Sequence, residues 1–283
     1  MMAFSLLASA TALAKPLLRV SSTRPKPGDP VLVTVLGVGE KPQGTAAGAA
    51  LVFFPVRGGW QAVFAVPLDD PPAEVKVLVE GTPPLRETLA IRAHTFPEEE
   101  ITVAPELAEP PPDRQREVDA DNAAVIQAAR HATPPRFSAG FRRRAAAGPT
   151  TSPFGAWRTF NGRFRSRHLG LDTAAASGVP VRAVQDGTVT LVRAGYLIGG
   201  TVVVAHGAGI TSTYFHLSDI TVAAGDEVKR GAVVGKVGLT GRATGPHVHL
   251  GIWVPDGFVD PAVFLGLRLG PPRAAAGQAR RAP

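Results

Sequence analysis

Two histidines stand one residue apart in the run Thr244-Gly245-Pro246-His247-Val248-His249-Leu250-Gly251-Ile252-Trp253, which is otherwise apolar and β-branched. On a strand, side chains i and i+2 point to the same face, so His247 and His249 project together while Val248 and Leu250 point the other way. Two imidazoles on one face can ligate a metal, or one can ligate while the other moves protons. The plain alternative is a pair of strand histidines without a chemical role. The pair has company, however. Five of the seven histidines fall at positions 168, 206, 216, 247 and 249. His168-Leu169-Gly170-Leu171-Asp172 has a His-x-Gly-x-Asp spacing, and His216 sits at a strand end in Ser212-Thr213-Tyr214-Phe215-His216-Leu217-Ser218. A zinc ion that activates water takes three N or O ligands and keeps one open position. His168, Asp172 and one histidine of the pair supply that number, leaving His216 and the other for proton transfer. No His-Glu-x-x-His motif occurs, so a helical site with a glutamate base is excluded and the proton work falls to histidine.

At these residues the chain resembles the LytM/lysostaphin-type zinc metalloendopeptidases, which cut peptide cross-links of bacterial cell walls. The matching blocks, in family order, are His168-Leu169-Gly170-Leu171-Asp172, Gly178-Val179-Pro180-Val181, Asp186-Gly187-Thr188-Val189, His206-Gly207, Tyr214-Phe215-His216-Leu217 and Gly245-Pro246-His247-Val248-His249. The resemblance covers about residues 137–265. It implies that His168, Asp172 and His249 bind one zinc ion and that His216 and His247 are the catalytic histidines. Ala205 departs from the aspartate often found before His-Gly in the family; that position is not a ligand. The resemblance also implies peptidoglycan stem-peptide cross-links as substrate, with a D,D-endopeptidase as the expected type. Its rivals are a non-catalytic relative that binds the wall or activates another hydrolase, and a basic envelope-binding protein with a closed structural zinc. The first should lack ligands, yet all five site residues are present. The second needs a fourth protein ligand, which is not evident.

The elements that must position these groups are mainly β. Hydrophobic residues make up 45% of the chain, and Gly 31 and Pro 27 favour strands and turns. Cys 0 excludes disulfides and thiolate–zinc sites. Residues 16–103 alternate short apolar runs with Pro-Lys-Pro-Gly-Asp, Arg-Gly-Gly, Asp-Asp-Pro-Pro and Gly-Thr-Pro-Pro, the pattern of an antiparallel sandwich of about seven strands. Residues 104–136 form a connector with a stiff Pro-rich start and one helix from Asp113, its expected N-cap, to about His131. Residues 137–267 are the peptidase unit of the lysostaphin/LytM type, an antiparallel sheet expected to fold and bind zinc alone. His206 lies in a Gly-rich turn and is expected to be structural; Tyr214 is expected to share a strand face with His216.

Charge is distributed unevenly. Residues 98–121 hold nine acids, whereas Arg136 to Arg167 hold eight arginines and no acid. Such a run is commonly a solvated face; here it could instead pair with the acidic connector or meet anionic envelope polymers near the site. A net charge of +7 permits nucleic acid, but no recognition motif or aromatic series accompanies it, so no nucleic-acid partner is expected. The uncharged residues 1–14 end in Ala12-Leu13-Ala14 and read as a signal peptide, with a mature chain beginning near Lys15. They are too short for a permanent membrane anchor, so an exported, periplasmic or cell-envelope location is expected. Residues 268–283, with four arginines and no acid, read as a disordered basic tail.

Overall fold

A computed structural model describes residues 15–131, 133–137 and 140–270. The expected signal peptide and most of the expected basic tail lie outside the described residues. The first unit is a sandwich of two four-stranded sheets. One runs Leu17–Val20, Pro30–Leu36, Gly59–Ala65, Phe54–Val56; the other runs Ala49–Ala50, Gly44–Ala46, Glu74–Val79, Leu85–Ala90. Period-2 alternation explains the packing. Val31, Val33 and Val35 of one strand and Ala62 and Phe64 of its neighbour face inward, onto Val75, Val77, Val79 and Leu89. Leu32 and Val63 point the other way and join the core of the second unit. The outer face of this sheet is therefore buried as well.

The second unit is a ten-stranded antiparallel sheet. Its main path runs Thr150–Ser152, Leu171–Ala174, His247–Val254, Ile210–Ile220, Gly199–Gly207, Gly187–Gly195, Glu227–Val228. Register sets the chemistry: Asp172 stands opposite His249, Ala174 opposite His247, and Phe215 opposite His249. Directly opposed residues share a face, so Asp172 and both histidines of the pair emerge together.

The last strand of residues 16–103 and the connector helix are both built into this unit. Glu98–Ile101 pairs in parallel with Trp157–Phe160, which forms a hairpin with Phe164–Arg167. Ion pairs Arg158–Glu99 (3.0 Å), Arg167–Asp69 (2.9 Å) and Arg165–Glu98 draw three arginines of the basic run onto acids upstream. The helix spans Pro112–Ala129. It starts one residue earlier than expected because Pro112 suits the first helical position, where its missing N–H costs nothing; Asp113 sits in the first turn and makes no side-chain cap bond. The hydroxyls of Thr190 and Thr211 donate to the carbonyls of Ala128 and Ala129 (3.2 and 2.9 Å), satisfying the helix end. Buried Asp121 accepts from the Tyr196 N–H (2.8 Å) and from Arg193, which fastens the helix to the sheet. Among the described residues no helix is long and apolar enough to cross a membrane.

This sharing bears on the expected independence of residues 137–267. Phe54 packs edge-on against Phe137, ring centroids 5.3 Å apart, within one continuous core. A fragment of residues 137–267 should unfold at lower denaturant than one of residues 96–270, and both below the full chain. Equal midpoints for all three in urea titrations would show that the docked sandwich and connector stabilise nothing.

Candidate active site

His168, Asp172 and His249 each bring one ligand atom into a cluster, all within 4.8 Å of one another and all on buried residues. Nε2 of His168 lies 3.0 Å from Oδ1 of Asp172 and 2.9 Å from Nδ1 of His249, which lies 3.0 Å from the same Oδ1. Nδ1–H of His168 donates to the Pro153 carbonyl (2.7 Å). That bond assigns the tautomer and leaves a lone pair on Nε2. Burial alone would raise the Asp172 carboxyl, but the imidazoles of His168 and His249 at its oxygen hold it well below the usual carboxylate range. Burial pushes His249 down to about 4, against the pull of Asp172, so it keeps no extra proton at neutral pH. Three atoms at contact distance thus share at most one hydrogen, on His249. A divalent cation satisfies all three at once, and two imidazoles with a carboxylate suit zinc.

His216 and His247 stand beside this cluster, their ring centroids 4.7 Å apart. Their anchoring is alike. Nδ1–H of His216 donates to the Thr240 carbonyl and that of His247 to the Gly245 carbonyl, each at 2.8 Å. In the neutral tautomer that such an anchor selects, each Nε2 is the atom with the lone pair. Burial, and then the charges of His247 and His249, push His216 down to about 3. Nε2 of His247 is 3.8 Å from Oδ2 of Asp172. All five residues line one groove of about 820 Å³. The groove is also lined by Glu99 and Ile101 of the strand Glu98–Ile101, by Val118 and Val125 of the connector helix, and by Phe160 of the hairpin.

Two expectations fare differently. His206 is fully buried away from the groove, between the Asp186 carbonyl and the Ser212 hydroxyl, both at 2.8 Å. Tyr214 does not join His216. Its side chain lies in the core, where the hydroxyl accepts from the Val184 N–H and the Ser212 hydroxyl, both at 2.9 Å. Alternation fails because the strand is irregular between the pairs Val202–Tyr214 and Gly200–Leu217, and His216 itself has φ +64. A bulge of this kind re-aims one side chain.

Local motifs do not reveal a supporting layer. Glu99 accepts from the Ser152 hydroxyl (2.6 and 2.9 Å), whose oxygen lies 3.2 Å from Nδ1 of His168. Glu99 also holds Arg158, which donates to Oδ2 of Asp172. One carboxylate on the strand Glu98–Ile101 thereby orients two members of the cluster. Glu99→Ala should weaken zinc binding by about 10–100-fold, and Glu99→Gln, which keeps an acceptor for Ser152 but not the charge facing Arg158, should fall between. Chelator competition measures this; unchanged affinity in both variants would make Glu99 a surface residue.

Comparison with known proteins places the site in context. The profile of Peptidase family M23 matches residues 166–261. The chain is 46% identical over 84 residues to the DD-carboxypeptidase/endopeptidase Mpg of Neisseria meningitidis serogroup B, covering 29% of this chain and 19% of Mpg. It is 44% identical over 82 residues to the peptidoglycan DD-endopeptidase ShyA of Vibrio cholerae, covering 29% of this chain and 19% of ShyA. The match thus spans about a fifth of each of these relatives. A crystal structure of a putative peptidase M23 from Pseudomonas aeruginosa aligns with 86% of this chain and 96% of its own, at 32% identity and a TM-score of 0.67.

Proposed function

Because the chain belongs to peptidase family M23, we propose that it is a zinc-dependent endopeptidase that hydrolyses peptide cross-links of bacterial peptidoglycan, of the D,D type, and acts in the periplasm or cell envelope after export. The observation that carries this is the meeting, in one groove, of the acceptor cluster His168, Asp172 and His249 with two histidines whose Nε2 atoms are free. The relatives named as DD-endopeptidases support the bond type.

In this reading His168, Asp172 and His249 hold one zinc ion. When bound, zinc polarises the scissile carbonyl and lowers the pKa of water toward about 7. The remaining work belongs to side chains. Arg158, itself held by Glu99, keeps the Asp172 carboxylate aimed. His216, held neutral by burial, and His247 each offer an Nε2 lone pair. One takes a proton from the attacking water, and that same proton ends on the leaving amine; the other histidine faces the developing oxyanion or relays the proton to the amine. The units proposed for these tasks are residues 137–267 for hydrolysis and residues 16–103 for positioning.

Purified sacculi should lose cross-links when incubated with zinc-loaded protein and lose none after chelation. Mass spectrometry should find new D-alanine carboxyl ends in place of cross-links. Intact cross-links with zinc fully bound would overturn this function and favour a wall-binding or hydrolase-activating protein.

A further inference from the structure

Arg242 sits on the turn between the strands Val233–Val237 and His247–Val254, five residues before His247. Its guanidinium carbon lies 3.8 Å from the centroid of the Phe160 ring, so the planar group rests against the hairpin wall of the groove. It lines the same groove as His216, His247 and His249. Burial, and then the neighbouring Arg158, lower its pKa to about 10, which leaves it charged at neutral pH. The two arginines differ in one respect. Arg158 is matched by Glu99 and Asp172, whereas among the described residues no carboxylate lies within 4.0 Å of Arg242. Drawing a cation out of water without a counter-ion is unfavourable. The face of an aromatic ring offsets part of that cost and leaves the guanidinium N–H groups with no carboxylate to bind. A guanidinium so placed suits a planar anion that can accept two parallel hydrogen bonds.

Resting on the function proposed above, we propose that Arg242 is the carboxylate-recognition group of the groove, binding a free carboxylate of the cross-linked peptide beside the amide presented to His216 and His247. Diaminopimelate-type cross-links offer two sources of that group, the free carboxylate of a diaminopimelate residue and the terminal D-alanine carboxylate. A purely structural Arg242 would only brace the hairpin through Phe160 and would be indifferent to the charge of the substrate.

The probe is a soluble cross-linked dimer of tetrapeptide stems in three forms: free, amidated at diaminopimelate, and amidated at the terminal D-alanine. KM and kcat are measured with the full zinc-loaded chain and with Arg242→Gln and Arg242→Lys. One amidation should raise the wild-type KM about 10–100-fold with kcat little changed, and its position identifies the source. Arg242→Gln should show the same rise on the free dimer and no further rise on that amidated form; Arg242→Lys should recover part. Wild type indifferent to both amidations, or Arg242→Gln losing equally on all three dimers, overturns the proposal. If Arg242→Gln fails to fold or take up zinc, the wild-type response to amidation decides alone. If the wild type cleaves none of the dimers, the proposed function falls, and calorimetric binding of the same three forms decides this inference: discrimination between them upholds it, and its absence overturns it.

Discussion

His249→Ala should lose zinc and wall hydrolysis together, whereas His247→Ala should keep near-stoichiometric zinc and lose about 10²–10⁴-fold in turnover, the usual worth of a positioned acid–base group. The two residues share a strand face, yet their ring nitrogens have different neighbours. Nδ1 of His249 touches both His168 Nε2 and Asp172 Oδ1, at 2.9 and 3.0 Å. Removing it leaves two ligands, which hold zinc far more weakly than three. The His247 ring is anchored instead on the Gly245 carbonyl, with Nε2 3.8 Å from Asp172 Oδ2, and its removal leaves the cluster intact. His216→Ala should behave like His247→Ala, because its anchor is the Thr240 carbonyl rather than a cluster atom. Asp172→Ala should behave like His249→Ala and also strand Arg158 without one of its two acids. Zinc content per chain, measured beside hydrolysis rate, separates the two classes. Zinc lost from His247→Ala but kept by His249→Ala would reverse their assignment, and retention of both properties in all four variants would move the site elsewhere.

The parts of the site that could be read from the chain are those where strand alternation is unbroken. His247–Val254 is regular, so counting residues by twos puts His247 and His249 on one face, whereas Asp172 was legible through its His-x-Gly-x-Asp spacing and joins that face through the pairing register. Ile210–Ile220 is not regular. One positive φ at His216 defeats the count, which is why Tyr214 was expected to share a face with His216 and lies in the core. Sandwich strands such as Pro30–Leu36 read correctly as strands, but an apolar residue on the outward face, such as Leu32, does not announce what covers it. Glu99 was legible only as one acid among nine. Its role depends on a parallel pairing with a strand about sixty residues downstream and on Ser152 and Arg158 being brought to it, and no local spacing encodes a contact of that range. Arg242 was hidden for a related reason: a lone arginine in a turn has no periodicity, and its lack of a counter-ion is a property of the folded neighbourhood alone.

Two glycines of the matched motifs look equivalent in the chain and should respond oppositely to alanine. A Cβ on Gly170 would stand 2.3 Å from Nε2 and 2.4 Å from Cε1 of His249, and 2.7 Å from the Leu250 carbonyl oxygen. The first two contacts belong to a proposed ligand whose ring is stacked on Phe215, centroids 5.0 Å apart. The third is backbone of a central strand in the ten-stranded sheet. Neither can yield by a flexible side-chain end, so a methyl group at this position must tilt the ring or part the strands. A Cβ on Gly245 meets nothing within 4 Å, and the carbonyl that anchors His247 is present whatever the side chain. Gly170→Ala should therefore lose zinc affinity by at least about 100-fold, on the scale expected for a displaced ligand, and lose hydrolysis with it. Gly245→Ala should take up zinc like the wild type. Chelator competition on both variants, with circular dichroism to confirm a folded sheet, provides the measurement. Wild-type affinity in a folded Gly170→Ala would mean that His249 can be moved without loss of metal, and His249 would then no longer stand as a ligand.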